Sequence, residues 1–254
     1  MKQLGLVFCA LIFAGLVFAG WQEKHDYAFC AAASSTNSAP APWGDDYCIA
    51  NDAMSQNASA GLAGSFTNGD FTVSLWIKRQ DWGETPPDGY FAIFYAWNNT
   101  FWTFYDGGSG DNWVPFMQGH FSSIPLTNNA WMHWAITRSG TVSSLYVNGS
   151  RTSSQTNSVQ TIDSDGCTYF GGFNGSQLGN TYLDEIAMWT RALSDSEMAT
   201  VYTTYGNTNT APWSSGLRAA WHCSEGSGTS LTDYSGNGFT MDLGGMSWVE
   251  DSPR

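Results

Sequence analysis

From Trp43 onward the chain alternates apolar and polar residues in short runs, separated by Gly, Asn, Asp and Ser. A period of two marks a strand with one buried face, and the separating residues are turn formers. In Phe71-Thr72-Val73-Ser74-Leu75-Trp76-Ile77, one face collects Phe71, Val73, Leu75 and Ile77 and the other Thr72, Ser74 and Trp76. This pattern predicts a core side and a partly wet side. Further strands are predicted over 90–97, 101–105, 131–137, 144–147, 167–173 and 182–189. Asn148-Gly149 supplies the left-handed residues of a two-residue hairpin turn between 145–147 and the polar run from Ser150.

One helix interrupts this texture. Ser194 is placed to cap a first turn and Glu197, three residues on, to reach back to it, as a capping box requires. Met198, Val201 and Tyr205 follow at helical spacing, and Gly206 suits the position just past the end. A single short helix among strands is expected to cover the edge of a sandwich. Segment 211–215 reads as a link, and 217–249 returns to strands and turns. A tail of about thirty residues is too small to hold a core of its own, so it must pack on something.

The start of the chain differs. A basic first residue pair, an apolar run over 4–19 and small residues at Val17-Phe18-Ala19 read as a secretory signal peptide with cleavage after Ala19. That run is shorter than the roughly 20 residues needed to span hydrocarbon, so no stable membrane insertion is expected once it is removed. Residues 20–42 then read as a leader or linker, and 43–254 as the β domain.

Composition agrees with export. Charged residues make up 12% of the chain and aromatics 15%, so solubility falls to Ser, Thr, Asn and Gly. The formal net charge of −13 repels phosphate backbones and anionic lipid, which excludes nucleic acid and membrane surfaces as natural partners. Cys9 leaves with the signal, and Cys30, Cys48, Cys167 and Cys223 remain, an even number that allows up to two disulfides in an oxidising compartment. Four cysteines permit three connectivities, and all three stay open. No cysteine pair has the close spacing of a zinc ligand set.

Three stretches carry a resemblance. They are Phe71-Thr-Val-Ser-Leu-Trp-Ile; Trp131-Met-His-Trp-Ala-Ile-Thr with Leu145-Tyr-Val-Asn-Gly; and Tyr182-Leu-Asp-Glu-Ile-Ala-Met-Trp-Thr-Arg-Ala-Leu-Ser-Asp-Ser-Glu. In order and spacing they resemble the concanavalin A-like lectin/glucanase superfamily, most of all its laminin-G-like, pentraxin-related jelly-roll branch, over about 43–205. The tail Leu217-Arg-Ala-Ala-Trp-His-Cys-Ser-Glu-Gly-Ser-Gly, with Asp233-Tyr-Ser-Gly-Asn-Gly and Trp248, resembles the segment that normally precedes the first strand of this family. Either the jelly roll is permuted and the tail completes it, or the tail begins a truncated second module. The first account is favoured, because an isolated segment of that length would not stay ordered. The resemblance implies an all-β antiparallel jelly-roll sandwich with one short helix, and binding more often than catalysis.

Candidate chemistry follows from residue types. Glycoside hydrolysis needs two carboxylates about 5 to 10 Å apart across one sugar bond. No strand places two on one face, since Asp184 and Glu185 are adjacent and alternate. His133 sits inside a strand, where the resemblance makes it structural, and no nucleophile elbow, phosphate loop or His-Glu-x-x-His pair occurs. Calcium is the one cofactor with candidate donors, namely Asp184, which resembles an acidic residue of the family, with Asp46 and Asp233 in turn contexts.

Trp82, Trp97, Trp102, Tyr105 and Trp113 lie in or beside Gly/Asn/Asp-rich loops and are the candidate ligand contacts, because flat aromatic faces stack on sugar C–H surfaces. Trp76, Trp134, Trp189 and Trp221 are expected in the core. These readings converge on a secreted or cell-surface module that recognises a glycan or glycoprotein. The alternatives are a self-associating structural or assembly subunit and a secreted glycan hydrolase or lyase.

Overall fold

The computed structural model describes residues 47–51, 56, 58–62, 70–79, 90–96, 101–106, 112–113, 124–125, 127–156, 167–173, 176–177, 181–204 and 215–253. For 90–125, 167, 169, 172–173 and 176–177 the description is of the backbone alone. The chain divides into two units, 1–31 and 32–254, and every described residue lies in the second.

The strands in chain order begin with β1 (Tyr47–Asn51), β2 (Ala58–Gly61), β3 (Phe71–Arg79), β4 (Tyr90–Ala96), β5 (Phe101–Asp106), β6 (Asn112–Trp113) and β7 (Ile124–Pro125). Next come β8 (Met132–Ser139), β9 (Val142–Val147), β10 (Ser150–Thr156), β11 (Cys167–Phe170), β12 (Gly172–Phe173), β13 (Ser176–Gln177) and β14 (Thr181–Trp189). The helix α1 (Asp195–Thr203) precedes β15 (Leu217–Trp221), β16 (Ser230–Leu231), β17 (Met241–Asp242) and β18 (Ser247–Glu250). Among the described residues two large antiparallel sheets result, beside the two-stranded ribbons β6–β7 and β12–β13. The first runs β10-β9-β8-β3-β14-β1-β18 with β15 also on β14, and the second runs β16-β17-β2-β11-β4-β5.

Between the sheets lies the main core. Val73, Leu75, Trp134, Ile136, Leu183, Met188 and Trp221 of the first sheet join Ala58, Ala60, Phe170, Leu231 and Met241 of the second. Trp76, Trp134, Trp189 and Trp221 are all buried, as expected of them. The tail supplies strands to both sheets, since β15 pairs with β14, β18 with β1 and β17 with β2. Trp221 anchors it, meeting Phe170 edge-on at 6.1 Å and donating its indole N–H to the Phe239 carbonyl at 2.7 Å.

Two expectations are corrected. The second face of β3 is not wet, for Thr72, Ser74 and Trp76 are all buried. Helix α1 does not cover an edge but lies on that face, packing Met198 and Val201 with Ala135, Tyr146, Ala187, Trp189 and Ala220 in a second apolar cluster. The capping box forms as the sequence predicts, with Ser194 and Glu197 each bonding the other's backbone N–H. Tyr202 then stacks on Trp76 at 5.4 Å.

The β9–β10 hairpin turns on Asn148 and Gly149, with φ of 49° and 75°. Asn148 also accepts the His133 N–H through its side-chain oxygen at 3.0 Å. On β14 the pairing with β3 slips between Asp184 and Ala187. One flank of β14 is shared there, with β1 pairing up to Leu183 and β15 from Ile186 on. Glu185 sits at the junction with a left-handed φ of 48°.

Candidate functional site

Chemistry that would need an exposed base or acid finds none at the strand residues singled out above. His133 is buried, its Nε2 lies 2.8 Å from the Ser74 hydroxyl, and burial pushes its pKa down to about 3. The imidazole is therefore neutral and enclosed by Trp76 and Tyr202. Asp184 is buried and accepts the Glu185 N–H at 2.8 Å, while Glu185 is buried against His222. Asp184 and Glu185 sit where the pairing of β14 with β3 slips.

Two of the three calcium donor candidates, Asp184 and Asp233, are described, and each accepts backbone N–H groups. Both oxygens of Asp233 are in use, Oδ1 by the N–H groups of Ala220 and Ser235 and Oδ2 by the Ser235 hydroxyl and the Phe239 N–H. Such a carboxylate organises a turn, pinning the 233–239 loop to β15. Asp184 is shut away inside the first sheet, and Asp46 lies outside the described residues. Among the described residues no three His, Cys, Asp or Glu side chains are grouped to hold a metal. Cys48 and Cys223 are buried free thiols, with burial raising both pKa values, and Cys30 lies outside the described residues.

The second sheet offers a different arrangement. Its core side is set by Leu231, Met241, Ala58, Ala60 and Phe170, all buried between the sheets. The residues alternating with them form the outer side. Cross-strand register there places Ser230 opposite Asp242, Asp242 opposite Ser59, Ser59 opposite Tyr169, Tyr169 opposite Tyr95 and Tyr95 opposite Trp102. At about 4.8 Å per strand this row is roughly 24 Å long. Ser230 and Asp242 are exposed and Ser59 is half-buried. The row is polar over β16, β17 and β2 and aromatic over β11, β4 and β5.

Of the aromatics singled out in the sequence, Trp102 is a member of this row. Tyr105 pairs with Phe91 three positions further along β5, on the alternate face. Trp113 belongs to the separate β6–β7 ribbon, opposite Ile124. Trp82 and Trp97 lie outside the described residues. Tyr95 and Tyr169 join the row without having been singled out. The signal that could have found Tyr169 is its alternation with a core Phe170, and for Tyr95 the strand pattern of 90–97.

Comparison with known proteins agrees with this architecture. The profile of the concanavalin A-like lectin/glucanases superfamily matches residues 44–199. A candidate carbohydrate-binding protein from Bacteroides ovatus superposes with a TM-score of 0.63 at 16% identity over 84% of this chain, which spans 63% of that protein's length. A heptameric SAP-like pentraxin from Limulus polyphemus superposes with a TM-score of 0.55 at 18% identity, covering 79% of this chain and 96% of the pentraxin. No curated protein matches at the level of sequence. At such identities the likeness establishes the fold.

Proposed function

Since this chain belongs to the concanavalin A-like lectin/glucanases superfamily, we propose that it is a secreted recognition module that binds carbohydrate, free or on a glycoprotein, along the outer side of its second sheet. The observation carrying this reading is the register row Asp242–Ser59–Tyr169–Tyr95–Trp102. Sugars present alternating C–H faces and hydroxyl edges. A row with aromatics at one end and hydroxyl and carboxylate groups at the other supplies a partner for each. Aromatics carry such contact at low entropic cost, because only two side-chain torsions are fixed. The fold resemblance to a candidate carbohydrate-binding protein supports the same reading.

Recognition is preferred to bond cleavage because His133, His222, Asp184 and Glu185 are enclosed and serve the fold. The test is a glycan array probed with the intact protein and with Trp102→Ala, Tyr95→Ala and Tyr169→Ala, each checked for an unchanged thermal transition. Loss of signal in all three is expected, with Trp113→Ala retaining binding. Glycan binding indifferent to all three row variants would overturn the assignment of the face.

A further inference from the structure

The distribution of cations restricts what that face can hold. The chain between 47 and 253 contains six Lys and Arg residues, namely Lys78, Arg79, Arg138, Arg151, Arg191 and Arg218. Five lie on strands of the first sheet, and Arg191 follows β14. The strands of the second sheet contain none, and neither do the segments 80–89 and 157–166 that join them to the rest of the chain. What those strands and segments do contain is carboxylates, including Asp106 and Asp242 on strands and Asp81, Glu84, Asp163 and Asp165 in the segments.

The six cations are also engaged where they stand. Lys78 pairs with Asp251 and Arg151 with Asp195, each at 2.5 Å, and Arg191 forks onto Glu197 at 2.7 and 3.0 Å. Arg79 and Arg138 are buried, and Arg218 lies 4.0 Å over the Phe239 ring. Packed sheets stand about 10 Å apart, whereas the screening length in physiological salt is about 8 Å. A ligand on the outer side of the second sheet thus lies at least one core thickness from these cations, three of which are already paired with carboxylates. A sulfated, sialylated or uronate-rich chain laid along the row would meet exposed Asp242 with no opposing Lys or Arg on the strands of that sheet, in a protein of net charge −13.

Resting on the carbohydrate-binding reading above, we infer that this face selects against anionic glycans, takes uncharged ones, and gains affinity where the glycan carries free amines, as de-N-acetylated hexosamines do. Asp242 is the residue that reads the amine. Its Oδ1 accepts the Gly244 N–H at 2.7 Å, which fixes the carboxylate on the exposed end of the row. The lectin-like alternative, in which a bound divalent cation bridges to an acidic glycan, predicts the opposite preference.

The experiment is a binding series on the full chain with neutral chito-oligosaccharide, its de-N-acetylated counterpart, heparin and polysialic acid, in chelator and then in calcium. The expected result is binding to the first two in chelator and to neither polyanion in either buffer. Asp242→Asn should lower affinity for the amine-bearing oligomer by about tenfold, as loss of one charge-assisted contact does, and lower that for the neutral oligomer by a smaller factor, since only the amine loses a charge. Raising salt should reproduce that selective loss in the parent protein. Heparin or polysialic acid bound through Trp102, with or without calcium, overturns the inference while leaving carbohydrate binding intact. Failure to bind any glycan removes the carbohydrate reading itself.

Discussion

His222 Nδ1 lies 2.6 Å from Glu185 Oε2, and both side chains are sealed from solvent. The pair bridges the point where β1 and β15 meet along β14, and the Tyr234 ring closes over the imidazole at 4.4 Å. Two strands far apart in sequence share one flank of a central strand there, and a side-chain hydrogen bond secures the seam.

Removing one partner takes a short hydrogen bond from a buried polar group. Glu185→Ala and His222→Ala should each destabilise the fold by about 3–5 kcal/mol. Replacing both by apolar residues of similar volume should recover most of that loss. Urea denaturation of the two single variants and the double variant checks it. Additive losses would mean that the two side chains act independently.

Gly149 is held at φ 75°, and a Cβ there would stand 2.7 Å from the Tyr202 Cβ. Gly149→Ala should therefore cost more than the roughly 1–2 kcal/mol of a left-handed alanine alone, because helix α1 must also retreat. Gly140→Ala is the control, having φ 58° but open space around it. A larger drop in thermal midpoint for Gly149→Ala than for Gly140→Ala is expected, and equal drops would show that the hairpin and α1 do not press on each other.

Trp221 fills the core from the tail side and satisfies its own N–H on Phe239. Trp221→Ala should cost about 3–5 kcal/mol through the cavity it leaves. If the tail were a bystander, chemical denaturation would show a loss well under 1 kcal/mol. Trp248, whose N–H is bonded to the Gly228 carbonyl at the exposed margin, should cost less.

What the sequence disclosed follows the range of each interaction. Ser194 with Glu197, and Asn148 with Gly149, are signals confined to a few residues, and both devices form as read. The apolar face of β3, with Phe71, Val73, Leu75 and Ile77, was legible because alternation fixes which side each residue takes. The face of β3 carrying Thr72 and Ser74 was misread as partly wet because what covers it, α1, lies over a hundred positions away and no periodicity in β3 encodes it. The bulge at Glu185 escaped for a similar reason, as it arises from where β1 ends and β15 begins. The row through Tyr169, Tyr95 and Trp102 depends on register between strands, which one sequence does not state.

Acid should loosen α1 before the sandwich. Glu197 is held down to about 2, first by hydrogen bonds from Arg191 and then by the Ser194 backbone and hydroxyl. Asp195 is lowered too, by hydrogen bonds from Tyr146 and Arg151. A carboxyl whose folded pKa lies below its unfolded value contributes stability that is complete above the unfolded pKa, near 4.3 for Glu, and that disappears as pH falls through the folded one. The helix cap should therefore weaken between about pH 4.5 and pH 2, as protonated Glu197 ceases to accept from Arg191 and the Ser194 N–H. Glu197→Gln should lower stability at neutral pH and flatten the slope in that window. Hydrogen exchange across 194–204 reports on the same event, and protection there that ignores pH between 5 and 2.5 would show that apolar contacts alone hold α1 to the sheet.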